Sequence, residues 1–232
     1  MKKILIIFGA FGALGRGVSK TLLSRDFTKC YLFDMNVDSL NQENVLVYPT
    51  DKIDENSITN AFAKIPVEKD AHYFLFSSIG GYTGGKEIDA TELSDLEEML
   101  DKNLRTNFLI LKKFIKIVKQ SLGGGICFTS ALTGLTPTKE HSVYGLTKSS
   151  LNYLIQTAAL EGREFNLSVN GIAPSVLDTP ANRTWMSEQE LKNALKPEEI
   201  GDLVYDLFKN FFFISGNIIT LLYRFDDNKN NK

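Results

Sequence analysis

Tyr144 and Lys148 stand four residues apart in Tyr144-Gly-Leu-Thr-Lys148. On a helix that spacing puts a phenol and an ammonium on one face, on successive turns. A lysine cation beside a phenol favours the phenolate and draws the tyrosine pKa down from about 10. The pair then becomes a general acid–base that works near neutral pH. Taken alone it is an ordinary surface spacing, and its weight comes from a second motif at the other end of the chain.

That motif is Ile-Ile-Phe-Gly9-Ala-Phe-Gly12-Ala-Leu-Gly15, with glycines three residues apart between an apolar run and an amphipathic one. Glycine permits a tight turn and close backbone approach to a pyrophosphate, and a helix N-terminus adds unpaired N–H groups and a positive dipole end. Gly9, Phe11, Gly12, Ala13 and Leu14 are therefore candidate cofactor residues. An acid about 20 residues further on completes the dinucleotide pattern. Asp34 ends Cys-Tyr-Leu-Phe-Asp, where its carboxylate can accept from both adenosine ribose hydroxyls and would repel a 2′-phosphate. NADH is thus favoured, with NADPH possible; the alternative for Asp34 is a turn or cap residue. Arg16 reads as a phosphate contact or, more simply, an exposed helix arginine. Asp51, after Thr50, is placed to meet the adenine.

Farther along, Gly80-Gly81-Tyr82-Thr-Gly84-Gly85 carries four glycines in six residues, a density that costs chain entropy and suits close approach to a ligand. Gly80 is a candidate cofactor contact, and Tyr82 a ring that can stack on a flat substrate, unless the loop is merely flexible.

The elements that must position these groups alternate along the chain. Lys3–Phe8, Cys30–Phe33, Val45–Tyr48, His72–Phe76, Ile126–Thr129, Ser168–Ile172 and Ile218–Tyr223 read as strands. Their apolar runs are continuous, as in a parallel sheet covered on both faces. Ala13–Ser24, Asn56–Lys64, Glu92–Gln120, Val143–Phe165 and Pro197–Asn210 read as helices. The expected fold is α/β, one Rossmann-type doubly wound parallel sheet of about seven strands with helices on both faces, in a single domain over residues 1–225. Residues 226–232 read as a frayed polar tail. Thr179–Lys196 is the longest interruption, and such connections are commonly lids or binding loops.

Composition excludes several classes. A 232-residue chain with net charge near −2 has no basic field to recruit nucleic acid or an anionic membrane. No stretch reaches the roughly 18 apolar residues of a membrane span. The Met-Lys-Lys start superficially imitates a signal peptide, but a glycine loop interrupts the apolar run, so a first strand and a cytoplasmic location are the expectation. Cys30 and Cys127 read as core thiols, and no metal site is expected.

Together, the Gly9–Gly15 loop, Asp34, Asp51, Asn103-Leu104, Tyr144-xxx-Lys148 and Asn170-Gly-Ile-Ala-Pro174 running to Thr179 resemble the short-chain dehydrogenase/reductase family over nearly the whole chain. Within it the chain is most similar to the dihydropteridine reductases. The carriers are Gly12-Ala-Leu-Gly15, Gly80-Gly-Tyr-Thr-Gly-Gly85 and Leu177-Asp-Thr-Pro-Ala-Asn-Arg-Thr-Trp-Met186. The resemblance implies a homo-oligomer, a dimer or tetramer, built through the helices bearing Asn103 and Tyr144. It also implies that Lys148 holds the nicotinamide ribose and that Pro174, Val176 and Thr179 bind the carboxamide end. Asn103 would hold a relay water, although the dihydropteridine reductases have serine there. Asn182 and Trp185 would close over a small-molecule substrate, the alternative for Trp185 being a satellite core position.

Most members of that family place a serine thirteen residues before the tyrosine; here Ala131 stands there, and its neighbour Ser130 should point to the opposite face. Losing that donor typically costs 10²-fold or more on a ketone, whereas a quinonoid dihydropterin is already a strong hydride acceptor. The expectation is hydride transfer from NADH to such a pterin. The alternatives are another conjugated or quinone-like carbonyl compound, or a catalytically silent NAD(H) sensor. His141, three residues before Tyr144, reads as a loop histidine without a chemical task.

Overall fold

In the computed structural model, residues 1–50 and 54–225 are described; the expectations for Asp51 and for the tail from residue 226 lie outside them. Seven strands form one all-parallel sheet in the order β3-β2-β1-β4-β5-β6-β7. They are β1 (Lys2–Phe8), β2 (Lys29–Asp34), β3 (Val45–Pro49), β4 (Ala71–Ser77), β5 (Gly124–Thr129), β6 (Leu167–Pro174) and β7 (Ile218–Leu221). The chain winds outward from β1 to β3, then returns to lay β4 against the other side of β1, pairing Phe8 with Ser77. That reversal opens a crevice at the carboxyl ends of β1 and β4, where ligands bind in sheets of this type.

Alternate residues of each strand enter two separate cores. Ile4, Ile6, Phe8, Tyr31, Phe33, Tyr73, Leu75, Ile126, Phe128 and Val169 pack on one face. Leu5, Ile7, Cys30, Leu32, Phe74, Phe76, Cys127 and Ile172 pack on the other. With both faces covered, continuous apolar runs are what the strands require. The two cysteines are buried free thiols, and burial pushes Cys30 up to about 12 and Cys127 higher still.

The first face is covered by α2 (Glu55–Ala63), α4 (Thr106–Val118) and α5 (Ser142–Gly162), the second by α1 (Ala13–Leu23) and α8 (Pro197–Lys209). Helix α2 starts where Asp54 accepts from the Ser57 N–H at 2.8 Å, a side-chain cap for an otherwise orphan donor. The expected single helix over Glu92–Gln120 is instead α3 (Leu93–Met99), a π-helical turn over Leu100–Arg105, and α4. The Thr179–Lys196 interruption contains two short helices, α6 (Pro180–Arg183) and α7 (Glu188–Asn193). Its base is tied: Leu195 donates to Val176 O at 3.1 Å and Asp178 to Leu195 O at 2.9 Å. Among the described residues no helix is long and apolar enough to cross a membrane, and no group of three or more His, Cys, Asp or Glu side chains is placed to hold a metal ion.

Candidate active site

The glycine loop runs directly out of β1 into α1. Gly9 has φ +77°, a left-handed conformation, and its N–H donates to Phe33 O at 2.9 Å. Gly15 lies so close to the loop that a Cβ there would sit 1.8 Å from Gly9 O. Gly12 differs from both. A Cβ on it would meet only Gly9 O, at 3.6 Å, so the protein's own packing does not demand glycine there. What the missing side chain leaves is space in front of the first turn of α1, where the leading N–H groups have no intrahelical acceptor. That cradle fits a phosphate group. Ala13 is exposed at its rim, while the Leu14 side chain is buried in the core, so only the Leu14 backbone can face a ligand.

Asp34 sits at the tip of β2 and is more than a ribose acceptor. One carboxylate oxygen accepts from Phe11 N at 2.7 Å and Gly12 N at 3.2 Å; the other accepts from Met35 N at 2.7 Å and Asn36 N at 3.4 Å. The same carboxylate therefore organises the glycine loop. Arg16 is an exposed helix arginine, which forms an ion pair with Asp38 and lies 5.8 Å over the Phe11 ring. Beyond Asp34 a cavity of about 300 Å³ is lined by Phe33, Tyr48, Thr50 and Asn60, among others.

Helix α5 brings Tyr144 and Lys148 to one face, as their spacing requires. Lys148 is 3% exposed and donates to Thr129 O at 2.8 Å, with its Nζ 5.8 Å from the centre of the Tyr144 ring. Burial draws the lysine down to about 8. The expected lowering of the tyrosine is not what the site produces. Burial, with a smaller push from Tyr82, raises Tyr144 to about 12. Desolvation outweighs a cation whose N–H is directed to a backbone carbonyl rather than to the phenol.

Ala131 is buried two residues past Thr129, whose carbonyl holds Lys148, and the neighbouring hydroxyl is committed elsewhere. The Ser130 hydroxyl donates to Asn152 Oδ1 at 2.5 Å, and the Asn152 amide donates to Gly134 O at 3.0 Å. Ser130 lies just past β5, and its hydroxyl is engaged on α5 one turn beyond Lys148.

Asn103 is fully buried within the π-helical turn, an irregularity frequent at functional sites. Its Oδ1 accepts from Gly81 N at 2.9 Å; its amide donates to Gly81 O at 3.1 Å and to Thr147 Oγ at 3.1 Å. Thr147 in turn donates to Tyr144 O at 3.0 Å. One asparagine therefore ties the Gly80–Gly85 loop to the first turn of α5. Gly80 is held so near Lys148 that a Cβ would lie 3.0 Å from Nζ. Asn107, one turn on, accepts from Ser77 Oγ at 2.7 Å and donates to Ile79 O at 3.2 Å; nothing in its sequence context marks that role.

Tyr82 is 63% exposed and meets the Tyr144 ring edge-on, with centroids 5.1 Å apart and planes at 74°. Its hydroxyl is 3.0 Å from His141 Nε2, so the histidine expected to be idle has a partner at the site. On the lid side the fit is looser. Thr179 is buried and its Oγ caps α6, accepting from Asn182 N at 3.2 Å. The Asn182 amide is turned inward onto Leu177 O at 2.9 Å. Trp185 is 60% exposed, which removes the satellite-core alternative. Pro174 ends β6, and Val176 lies at the tied base of the lid segment.

The site therefore joins a cradle that fits a phosphate, an acid at the tip of β2 and a half-buried phenol above a buried lysine. A model of the short chain dehydrogenase family matches residues 3–190. The chain is 27% identical to a dihydropteridine reductase of Dictyostelium discoideum over 213 residues, covering 90% of this chain and 89% of that protein. It is 26% identical to a cyclopentanol dehydrogenase of Comamonas sp. over 203 residues, 83% and 80% of the two chains. The solved structure of ElxO with NADP bound superimposes with a TM-score of 0.85 at 22% identity, covering 96% of this chain and 98% of that one.

Proposed function

The chain belongs to the short-chain dehydrogenase family, and on that premise we propose that it is an NADH-dependent reductase of an activated small acceptor, in the first place a quinonoid dihydropterin. The observation that carries the choice of acceptor is Ala131, a buried methyl thirteen residues before Tyr144, with the Ser130 hydroxyl engaged elsewhere. A site without that donor suits a substrate that accepts hydride unaided.

The reduced nicotinamide supplies the hydride when bound. The free N–H groups in the first turn of α1 would hold its pyrophosphate, Asp34 its adenosine ribose, and Lys148, facing Gly80, its nicotinamide ribose. Pro174, Val176 and Thr179 line the end where the carboxamide would lie. Tyr144 keeps its proton until the reduced acceptor becomes basic enough to take it. Asn103 fixes Tyr144 through Thr147 and holds the Gly80–Gly85 loop against the pair. Tyr82 and Trp185 offer exposed rings for a flat acceptor, and α6 and α7 would exclude water over it.

A second reading keeps the site and changes the acceptor to another conjugated or quinone-like carbonyl compound. The same exposed rings support it. We also propose a homo-oligomer through α4 and α5, whose exposed Phe108, Tyr153 and Leu160 support it; a monomer mass by light scattering would remove that part. The deciding assay follows NADH oxidation with quinonoid dihydrobiopterin, a quinone and a simple ketone side by side. Turnover is expected with the pterin and at least 10²-fold less with the ketone. Micromolar NADH binding without any turnover would instead leave a silent sensor.

A further inference from the structure

The Tyr82 hydroxyl and the His141 ring come from loops 59 residues apart and meet at 3.0 Å. The direction of that hydrogen bond follows from the other side of the ring. His141 Nδ1 lies 2.8 Å from Lys139 O, and a carbonyl can only accept, so Nδ1 carries the proton. In the neutral ring Nε2 is then the bare acceptor, and the Tyr82 hydroxyl is the donor. A phenol has one proton to give. With it committed to His141, the hydroxyl can offer a ligand only lone pairs.

The surrounding backbone is built to hold this arrangement. A Cβ on Gly84 would sit 2.7 Å from the Tyr82 hydroxyl and 3.2 Å from His141 Cδ2, so a side chain there would press the pair out of its present place. Gly85 donates to Glu140 O at 2.9 Å, and Glu140 takes a left-handed φ of +63°, a conformation uncommon for a non-glycine residue. On the other flank Gly81 is bound through both its N–H and its C=O by Asn103. Tyr82 is thus pinned before and after in the chain and at its ring tip, while its ring stays largely open to solvent beside Tyr144. An open ring held at every end is a platform for a ligand, and packing has no use for it.

We propose that His141 is a positioning and specificity residue: by taking the Tyr82 proton it turns Tyr82 into an acceptor-only wall, selecting flat heterocycles that bring an N–H donor over those that bring only carbonyl oxygens. The inference rests on the reductase reading for its setting and sharpens the choice of acceptor within it. An aminopterin carries such N–H groups at its edge. A quinone carries none, and its oxygens would face the Tyr82 lone pairs without a proton between them.

The test is calorimetric binding of biopterin and of a naphthoquinone to the NAD⁺-loaded protein at pH 8, where no turnover occurs. Wild type is compared with Tyr82→Phe, His141→Ala and His141→Gln, the last of which restores an acceptor oxygen. Biopterin affinity is expected to fall about tenfold in Tyr82→Phe, corresponding to one lost hydrogen bond, and to stay within about threefold of wild type in both His141 variants, where the Tyr82 lone pairs remain. Naphthoquinone should bind about three- to tenfold tighter in His141→Ala, where the freed Tyr82 proton can meet its oxygen, and change less than about twofold in Tyr82→Phe and His141→Gln. Tyr82→Phe alters only an exposed ring tip, so it keeps the test sound if a His141 variant fails to fold. No loss for biopterin in Tyr82→Phe, no gain for naphthoquinone in His141→Ala, or no wild-type biopterin binding would overturn the proposal. Turnover assays judge the reductase reading separately: discrimination in binding without NADH oxidation sinks that reading alone, and turnover without discrimination sinks this one alone.

Discussion

Lys148→Met should abolish the rise in stability that Lys148 is expected to give the native protein between pH 8 and 10. Lys148 is buried, and desolvation holds it near 8 against an ordinary value of 10.5. Between those values the unfolded chain binds a proton that the folded protein does not, so the lysine's contribution to stability rises with pH. Below pH 8 both states are charged and the folded state carries the whole desolvation cost. Integrating the two titrations from pH 7 to pH 10 gives about 2 to 3 kcal/mol, an order-of-magnitude figure. Tyr144, raised to about 12, acts in the opposite sense, but only above pH 10, where the unfolded phenol ionises and the folded one does not. Methionine fills a similar volume without charge. The variant loses the bond to Thr129 O, worth about 1 kcal/mol net, yet at pH 7 it should still be more stable than the native protein by about 1 to 2 kcal/mol. The assay is urea unfolding of both proteins at pH 7, 8, 9 and 10 and one fixed protein concentration, since any self-association shifts apparent stability. Every other titrating group is common to the two, so the difference of their pH dependences isolates Lys148. Parallel curves would falsify the assignment of a desolvated, late-charging lysine at the heart of the site.

Tyr144→Phe should lower kcat by about 10² to 10⁴-fold, the usual weight of a positioned proton donor, while NADH affinity by fluorescence titration stays within about threefold; an unchanged kcat removes the tyrosine from the chemistry. In the reductive direction kcat/KM should be level below about pH 8 and fall above it as Lys148 loses its charge, and a profile flat to pH 9.5 counts against a cationic role for that residue. Asp34→Ser should both shift preference toward NADPH and weaken NADH about 10- to 100-fold, because the carboxylate also organises the Phe11 and Gly12 amides through charge-assisted bonds. Dissociation constants for both cofactors check this, and an unaltered NADH/NADPH ratio takes Asp34 out of the ribose site.

The sheet was legible because burying both faces leaves a continuous apolar run in each strand, and those runs are visible without any structure. The strand ends were less so. β5 begins two residues earlier than the apolar pattern, at Gly124 and Gly125, because a Cβ at Gly124 would press 1.8 Å from Tyr73 O. That strand is glycine where packing is tightest, so its start carries no apolar signal. The π-helical turn at Leu100–Arg105 was invisible for a related reason: one wide turn barely disturbs an apolar stripe, yet it directs Asn103 inward onto Gly81. Local spacing found Tyr144 and Lys148, since i and i+4 is a property of one helix. It could not find the Asn103–Gly81 clamp or the Tyr82–His141 pair, whose partners meet only through the fold. It also misjudged the sign of the Tyr144 shift, because burial is not written in spacing.

That sign bears on the direction of the reaction. A phenol lowered toward neutrality serves equally as acid or base, and would suit alcohol oxidation as well as carbonyl reduction. A phenol raised to about 12 keeps its proton at every physiological pH, so the resting site holds an acid. Alcohol oxidation would have to begin by removing that proton, at about 1.4 kcal/mol for each pKa unit above the working pH. Reduction begins with the proton already in place and releases it only when hydride addition has made the acceptor strongly basic. The Ala131 methyl points the same way. With no hydroxyl to polarise the substrate in advance, the acceptor must draw the hydride on its own reactivity, and Tyr144 need only complete the transfer. An acid that cannot act early and a missing electrophilic donor together support the proposed reading, in which substrates are reduced readily and protonated late.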